Sequence, residues 1–192
     1  MTTANRHALE FLRTRRSHPA RTLTMPVPAR EELTALLTAA ARTPDHGKLE
    51  PWRFVVLQKP ALTRLAGFAA ERGAALHLET ERLEKGVRQY AEADLAVVVV
   101  ASPKPSVSIP QIEQVLSAGA VCLALLNAAL AAGWGANWLT GWASHDPDFA
   151  AAAFGLTGPE FVAGVIHIGT AQTSPADRPR PDLARLVTWV AA

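Results

Sequence analysis

Three short stretches of this sequence hold the residue types that do chemistry. Arg15-Arg16-Ser17 sets two guanidinium forks and a hydroxyl side by side. Guanidinium groups bind phosphate bidentately through charge-assisted hydrogen bonds about twice as strong as neutral ones, so a dianionic phosphate would suit them. The plainer account is a solvated helix end, where the helix dipole favours cations. Thr43-Pro44-Asp45-His46-Gly47-Lys48-Leu49-Glu50-Pro51-Trp52 packs polar groups into a loop between a helix and a strand, the kind of binding edge a rigid scaffold positions. One histidine and one carboxylate, His46 and Glu50, do not make a metal site without a further cluster. From Gly133 to Trp142, three tryptophans alternate with small residues. Aromatic faces and a glycine-permitted backbone approach can line a pocket for a flat ring system, and buried core tryptophans are the alternative.

Several common signatures are missing. Gly133-Trp134-Gly135 lacks the third glycine of a dinucleotide fingerprint, and Gly47-Lys48 is followed by leucine without the upstream glycine of a phosphate-binding loop. No G-x-S-x-G elbow and no H-E-x-x-H helix occurs. Hydrolase and nucleoside-triphosphatase chemistry therefore lose their best support.

The elements that must position these stretches follow from periodicity. Ala8, Leu9, Phe11 and Leu12 predict a helix over residues 6–14, which carries the arginines at its C-terminal end. Leu33, Leu36, Leu37 and Ala40 share one face of a second helix over 30–42. A short strand fits Phe54 to Leu57, and residues 61–92 read mostly as a surface helix with Gly73 and Gly86 as weak points. Leu95 to Val100, with four consecutive valines, reads as a strand buried on both faces at the centre of a sheet. The long helix from 111 to 132 is apolar or small on nearly every face from Ser117 onward, so protein must cover it all round, a dimer partner supplying part. Further strands fit 134–139 and 160–168, and the tail from 174 is extended before a short last segment at 183–190.

Composition sets the class. With 192 residues, 49% of them hydrophobic, the chain suits one soluble domain over 1–192. The net charge of +2 is too small to imply a nucleic-acid or membrane-surface protein, but residues 1–30 carry six arginines against the one acid Glu10. The single cysteine, Cys122, allows no internal disulfide, and the N-terminus lacks an apolar signal core. These features predict a cytoplasmic protein. Ser117 to Leu139 is uncharged and long enough to span a bilayer, yet its alanine, asparagine and glycine content favours a buried helix followed by a strand.

In this order, the three stretches resemble the nitroreductase family, in its short-chain NAD(P)H branch. The likeness also takes in Ser117-Ala118-Gly119 and Gly164-Val165-Ile166-His167-Ile168-Gly169-Thr170, and runs over nearly the whole chain. It implies an α+β fold with a mixed, mainly antiparallel sheet wrapped by helices, and a homodimer joined through the long helix with FMN at the interface. Arg15, Arg16 and Ser17 would hold the phosphate and ribityl end, with His46 and Glu50 reaching across from the partner. Trp138, Leu139 and Thr140 would border the flavin, and residues 128–133 match a region assigned to the nicotinamide substrate. The implied activity uses NADH or NADPH to reduce small acceptors such as nitroaromatics or quinones by way of flavin N5. No side chain need act as a covalent catalyst, because the cofactor carries the reaction.

Two positions depart from the family pattern. Glu50 stands where many relatives have glutamine, and a carboxylate there should disfavour an anionic reduced flavin. Leu139 stands where close relatives can have arginine, a loss that Arg53 or Arg178-Pro179-Arg180 could offset. The competing functions are a flavin carrier without turnover and an anion- or nucleic-acid-binding module, although the basic arm lacks the aromatic interleaving of single-strand binders.

Overall fold

The computed structural model describes residues 3–191. Helix α1 (Arg6–Thr14) begins where the Asn5 side chain accepts from the Ala8 N–H over 3.0 Å. A cap of this kind meets one of the unpaired N–H groups of the first turn. Helix α2 (Arg30–Ala40) follows the two-residue strand β1 (Leu23–Thr24), and the Glu32 carboxylate closes its first turn by accepting from the Ala29 N–H over 2.8 Å.

Strand β2 (Trp52–Gln58) leads into α3 (Lys59–Ala75) and α4 (Thr80–Ala91). One helix was expected here; the chain makes two. His77 takes a left-handed φ of 52°, and the Leu78 N–H reaches back to the Gly73 carbonyl over 3.1 Å, which ends α3. Gly73 and Gly86 are packing points rather than weak points. A Cβ at Gly86 would lie 2.1 Å from Trp142 Nε1, so that indole is seated directly on the α4 backbone.

Strand β3 (Leu95–Ala101) is buried at every residue. It pairs with β2 on one side and with β5 (Phe161–Ala171) on the other, and β5 also pairs with β1 and with β4 (Gly135–Leu139). Every one of these pairings is antiparallel, in keeping with the mainly antiparallel sheet expected, and no parallel pair occurs among the described residues. Successive valines of β3 point to opposite faces. Val98 and Val100 join Tyr90, Phe149 and Leu62 on the α3/α4 side, while Val97 and Val99 join Leu33, Val121 and Leu125 on the α2/α5 side. Each such side chain contributes about 1.5–3 kcal/mol by leaving water.

Helix α5 (Gln111–Ala131) packs against α2, β3, β4 and β5. Among the described residues it is the one helix long and apolar enough to cross a membrane by length and composition. The chain does not cover it all round: Ile112, Leu116 and Leu123 stay exposed at 61%, 65% and 45%. Their spacing puts them on one outward stripe. Short helices α6 (Trp142–His145) and α7 (Pro147–Phe154) complete the α3/α4 face. Arg72 fixes them by a two-pronged pair with Asp146, whose other role is to cap α7.

Candidate functional site

Arg15 ends α1, and its Nη2 donates to Ser17 Oγ over 3.1 Å. The Arg15 Nε is buried and has no partner. Burial, and after it the charges of Arg180, Arg16 and Arg178, pull the Arg15 pKa below its ordinary value. The extended tail thus brings two more cations to the helix end. Arg16 donates to the Ala176 carbonyl and to Asp177 Oδ1. The next residue anchors the cluster to the sheet: the His18 N–H donates to the Ala136 carbonyl over 3.0 Å, and Asn137 Nδ2 donates to the His18 carbonyl.

Beyond that anchor, β4 ends in the turn Trp138–Gly141, which lies between two hollows. One, of about 790 Å³, is lined by Val115, Gly119, Trp138, Thr140 and Glu160. The other, of about 970 Å³, lies beside α4 and is lined by Arg21, Arg82, Lys85, Gln89, Leu139 and His167. Thr140 borders both. The Trp138 indole rests on Gly164, where a Cβ would lie 2.1 Å from its Nε1.

The loop before β2 turns on Asp45, whose Oδ2 accepts from the Glu50 N–H over 2.7 Å. Gly47, Lys48 and Glu50 all have positive φ, at 72°, 56° and 47°. Two non-glycine residues in that region are uncommon, and such strain gathers at sites where surrounding contacts hold the backbone. Ser117 supplies one: it donates to the Pro44 carbonyl over 2.8 Å and accepts from Trp52 Nε1 over 3.3 Å. His46 Nδ1 pairs with Glu113 Oε2 at 2.5 Å, in the first turn of α5.

The model of the nitroreductase family matches residues 12–170. The chain belongs to the nitroreductase family. A relative from Escherichia coli strain K12 named "Putative NAD(P)H nitroreductase YdjA" is 32% identical over 165 residues, covering 86% of this chain and 88% of its own. A Haemophilus influenzae relative with the same name apart from the final word is 34% identical, over 85% and 88%. Among solved structures, a nitroreductase-like family protein from Bacillus cereus superposes with a TM-score of 0.79 at 23% identity, over 99% of this chain and 98% of its own. A Desulfovibrio desulfuricans protein solved in complex with FMN gives 0.73 at 23% identity, over 98% and 99%.

Within this nitroreductase fold, the expected site residues fall into two groups. Arg15, Arg16 and Ser17 share one region with the start of β4, and Trp138, Leu139 and Thr140 follow along that strand and its turn. His46 and Glu50 stand apart, tied to the first turn of α5, whose 21 residues span about 30 Å. Among the described residues, no hydrogen bond or ion pair joins the two groups within the chain. Arg53 is committed elsewhere, with Nε and Nη2 each 2.8 Å from the Glu160 carboxylate and Nη2 also donating to the Phe154 and Gly155 carbonyls. That pair holds the Glu160 carboxyl down at about 2. Arg178 and Arg180, not Arg53, approach the cluster. Residues 128–133, matched to the nicotinamide by resemblance, line neither hollow. The cations Arg82 and Lys85 were missed because α4 reads as plain surface, although Arg82, Lys85 and Gln89 recur at helical spacing.

Proposed function

We propose that this chain is an FMN-dependent oxidoreductase that uses NADH or NADPH to reduce small oxidised acceptors, nitroaromatics and quinones among them. One observation carries the reading: a buried, unpartnered Arg15 Nε stands among three further guanidinium groups. Asp177 pairs with Arg16 and Arg180, while Arg15 has no carboxylate partner among the described residues, and a phosphate offers acceptors for several forks at once. The residues present therefore fit the phosphate of FMN.

Arg15, Arg16 and Ser17 hold that phosphate, helped by Arg178 and Arg180. The turn Trp138, Leu139 and Thr140 borders the ring. FMN, when bound, supplies the hydride-carrying chemistry between donor and acceptor. The chain's own part is to bind and orient both ring systems, and Trp138 on Gly164 gives the turn a rigid backing. His46 and Glu50 serve the site of a second subunit. The outward stripe Ile112, Leu116 and Leu123 of α5 supports a homodimer, since exposed apolar side chains in one row mark a contact surface. A dimer through that stripe brings the partner's His46 loop, held at the same end of the helix, to the interface.

The test is an acceptor screen on flavin-loaded protein, with NADH or NADPH oxidation followed by absorbance. Purified protein should be yellow and should turn over quinone or nitroaromatic acceptors. Colourless protein that fails to take up FMN sinks the reading, flavin binding without turnover reduces it to a carrier, and salt-sensitive nucleic-acid binding without flavin replaces it.

A further inference from the structure

The loop before β2 keeps a shape that burial does not explain. None of residues 43–50 is buried, yet Gly47, Lys48 and Glu50 all hold positive φ, two of them without glycine's freedom. Such backbone persists only where its surroundings over-determine it. Ile109 leaves no room for a Cβ at Gly47, and Asp45 Oδ2 accepts the Glu50 N–H from within the loop. The remaining holds come from α5. Ser117, 7% exposed, joins the two ends: its hydroxyl donates to the Pro44 carbonyl and accepts from Trp52 Nε1. Glu113 holds His46 between those ends.

Glu113 and Ser117 lie one helical turn apart on the same face of α5, so they grip the loop as a pair. An exposed ion pair contributes little to stability by itself, and the His46 and Glu113 side chains are 64% and 44% exposed. Its effect is on the loop, where one added tether selects among conformations that differ little in burial. The place of the clamp also matters. Each of its residues directly follows a member of the outward stripe, Ile112 and Leu116, so it borders the apolar row that supports the dimer.

We propose that Glu113 and Ser117 are positioning residues: as a two-point clamp on one chain, they lock the 44–52 loop in the shape that carries His46 and Glu50 to the flavin site of a second copy. The inference rests on the shared flavin site of the proposed function for the place where the loop is used. The clamp itself acts within one chain and touches neither cofactor nor substrate.

The test is the double variant Glu113→Ala/Ser117→Ala, with a thermal melt to verify folding. Amide exchange over residues 45–50, read by mass spectrometry, should quicken about tenfold, and FMN affinity should fall by a similar factor, because two hydrogen bonds and an ion pair are lost. Glu113→Gln keeps a hydrogen-bonding group for His46 Nδ1 and should match the wild type in both. Should the double variant not fold, Glu113→Ala at its exposed position gives the same readouts at about two- to fivefold. Mixed dimers then locate the action. A dimer of one Arg15→Ala subunit and one clamp-variant subunit should retain one flavin site of wild-type affinity, since the intact arginines of the second subunit meet the intact loop of the first. Unchanged exchange in the double variant overturns the clamp. Unchanged FMN affinity with a freed loop overturns its positioning role, and a mixed dimer without a wild-type site overturns action across the interface. If the wild-type protein takes up no FMN, the flavin reading fails and the loop's role in it with it, while exchange still decides whether Glu113 and Ser117 hold the loop.

Discussion

An Nη2–H of Arg15 donates to Ser17 Oγ over 3.1 Å, while the Nε of the same guanidinium is buried with nothing to meet it. A buried donor left in this state costs stability until a ligand or water meets it. Arg15→Ala should therefore weaken FMN retention far more than it lowers the melting temperature. Loss of one charge-assisted contact of about 1.5–3 kcal/mol corresponds to at least tenfold in affinity. Flavin fluorescence titration beside a thermal melt measures both, and equal flavin affinity in the variant returns the arginines to a solvated helix end.

Glu50 sits in a positive-φ turn on the loop proposed to reach a neighbouring subunit's flavin. Its carboxylate opposes negative charge on the reduced ring, so Glu50→Gln should raise the flavin midpoint potential. A unit charge at 4 Å in water is worth about 1 kcal/mol, and about 30 mV corresponds to 1.4 kcal/mol for two electrons, which predicts a rise of roughly 20 mV. Spectroelectrochemical titration decides; an unchanged or lower potential rules the effect out.

Gly164 leaves room for the Trp138 indole, and a methyl group there would lie 2.1 Å from its Nε1. Gly164→Ala must displace the ring or the strand, at a cost of about 1–3 kcal/mol typical of overpacking. The expected outcome is a lower melting temperature together with weaker flavin binding, since Trp138 adjoins the turn. A melt and a titration that both match the wild type would contradict the packing described for this turn.

His167 should make stability depend on pH. Its folded pKa, about 4, lies below the ordinary value near 6.5, so the unfolded chain takes up the proton first. The contribution is complete above about pH 6.5 and drains away as pH falls toward 4, by up to about 1.4 kcal/mol per pH unit. His18, lowered by burial too, acts in the same direction. Glu160 and Asp146, both lowered by arginine partners, act below the ordinary carboxylate range. Denaturant midpoints between pH 6.5 and 4.5 should fall less steeply for His167→Gln than for the wild type. Parallel profiles would remove His167 from the account.

The central strand was legible because four β-branched valines in succession suit a strand buried on both faces, and α1 because its apolar residues fall at helical spacing. The break between α3 and α4 was hidden: it depends on His77 adopting a left-handed φ without glycine, and helical periodicity continues on either side. Arg15, Arg16 and Ser17 were visible as a cluster, but their tail partners were not. Arg16 and Asp177 are 161 residues apart, and no local pattern reports such a meeting. Glu113 was overlooked for the same reason, since only the packed loop brings His46 to α5. Gln89 and His167 each bury a side-chain nitrogen without a partner, a shortfall that exists only in a folded interior, so sequence carries no sign of it.

The clasp between Arg16 and the tail gives Asp177 a role of its own. Its carboxylate holds two forks of the proposed anion site, those of Arg16 and Arg180, as an internal competitor that an incoming phosphate must displace. Apparent affinity then equals intrinsic affinity scaled by the fraction of molecules in which the clasp is open. On the reading that Arg15 and Arg16 hold the FMN phosphate, this exposed pair becomes a rheostat for cofactor loading that ionic strength adjusts.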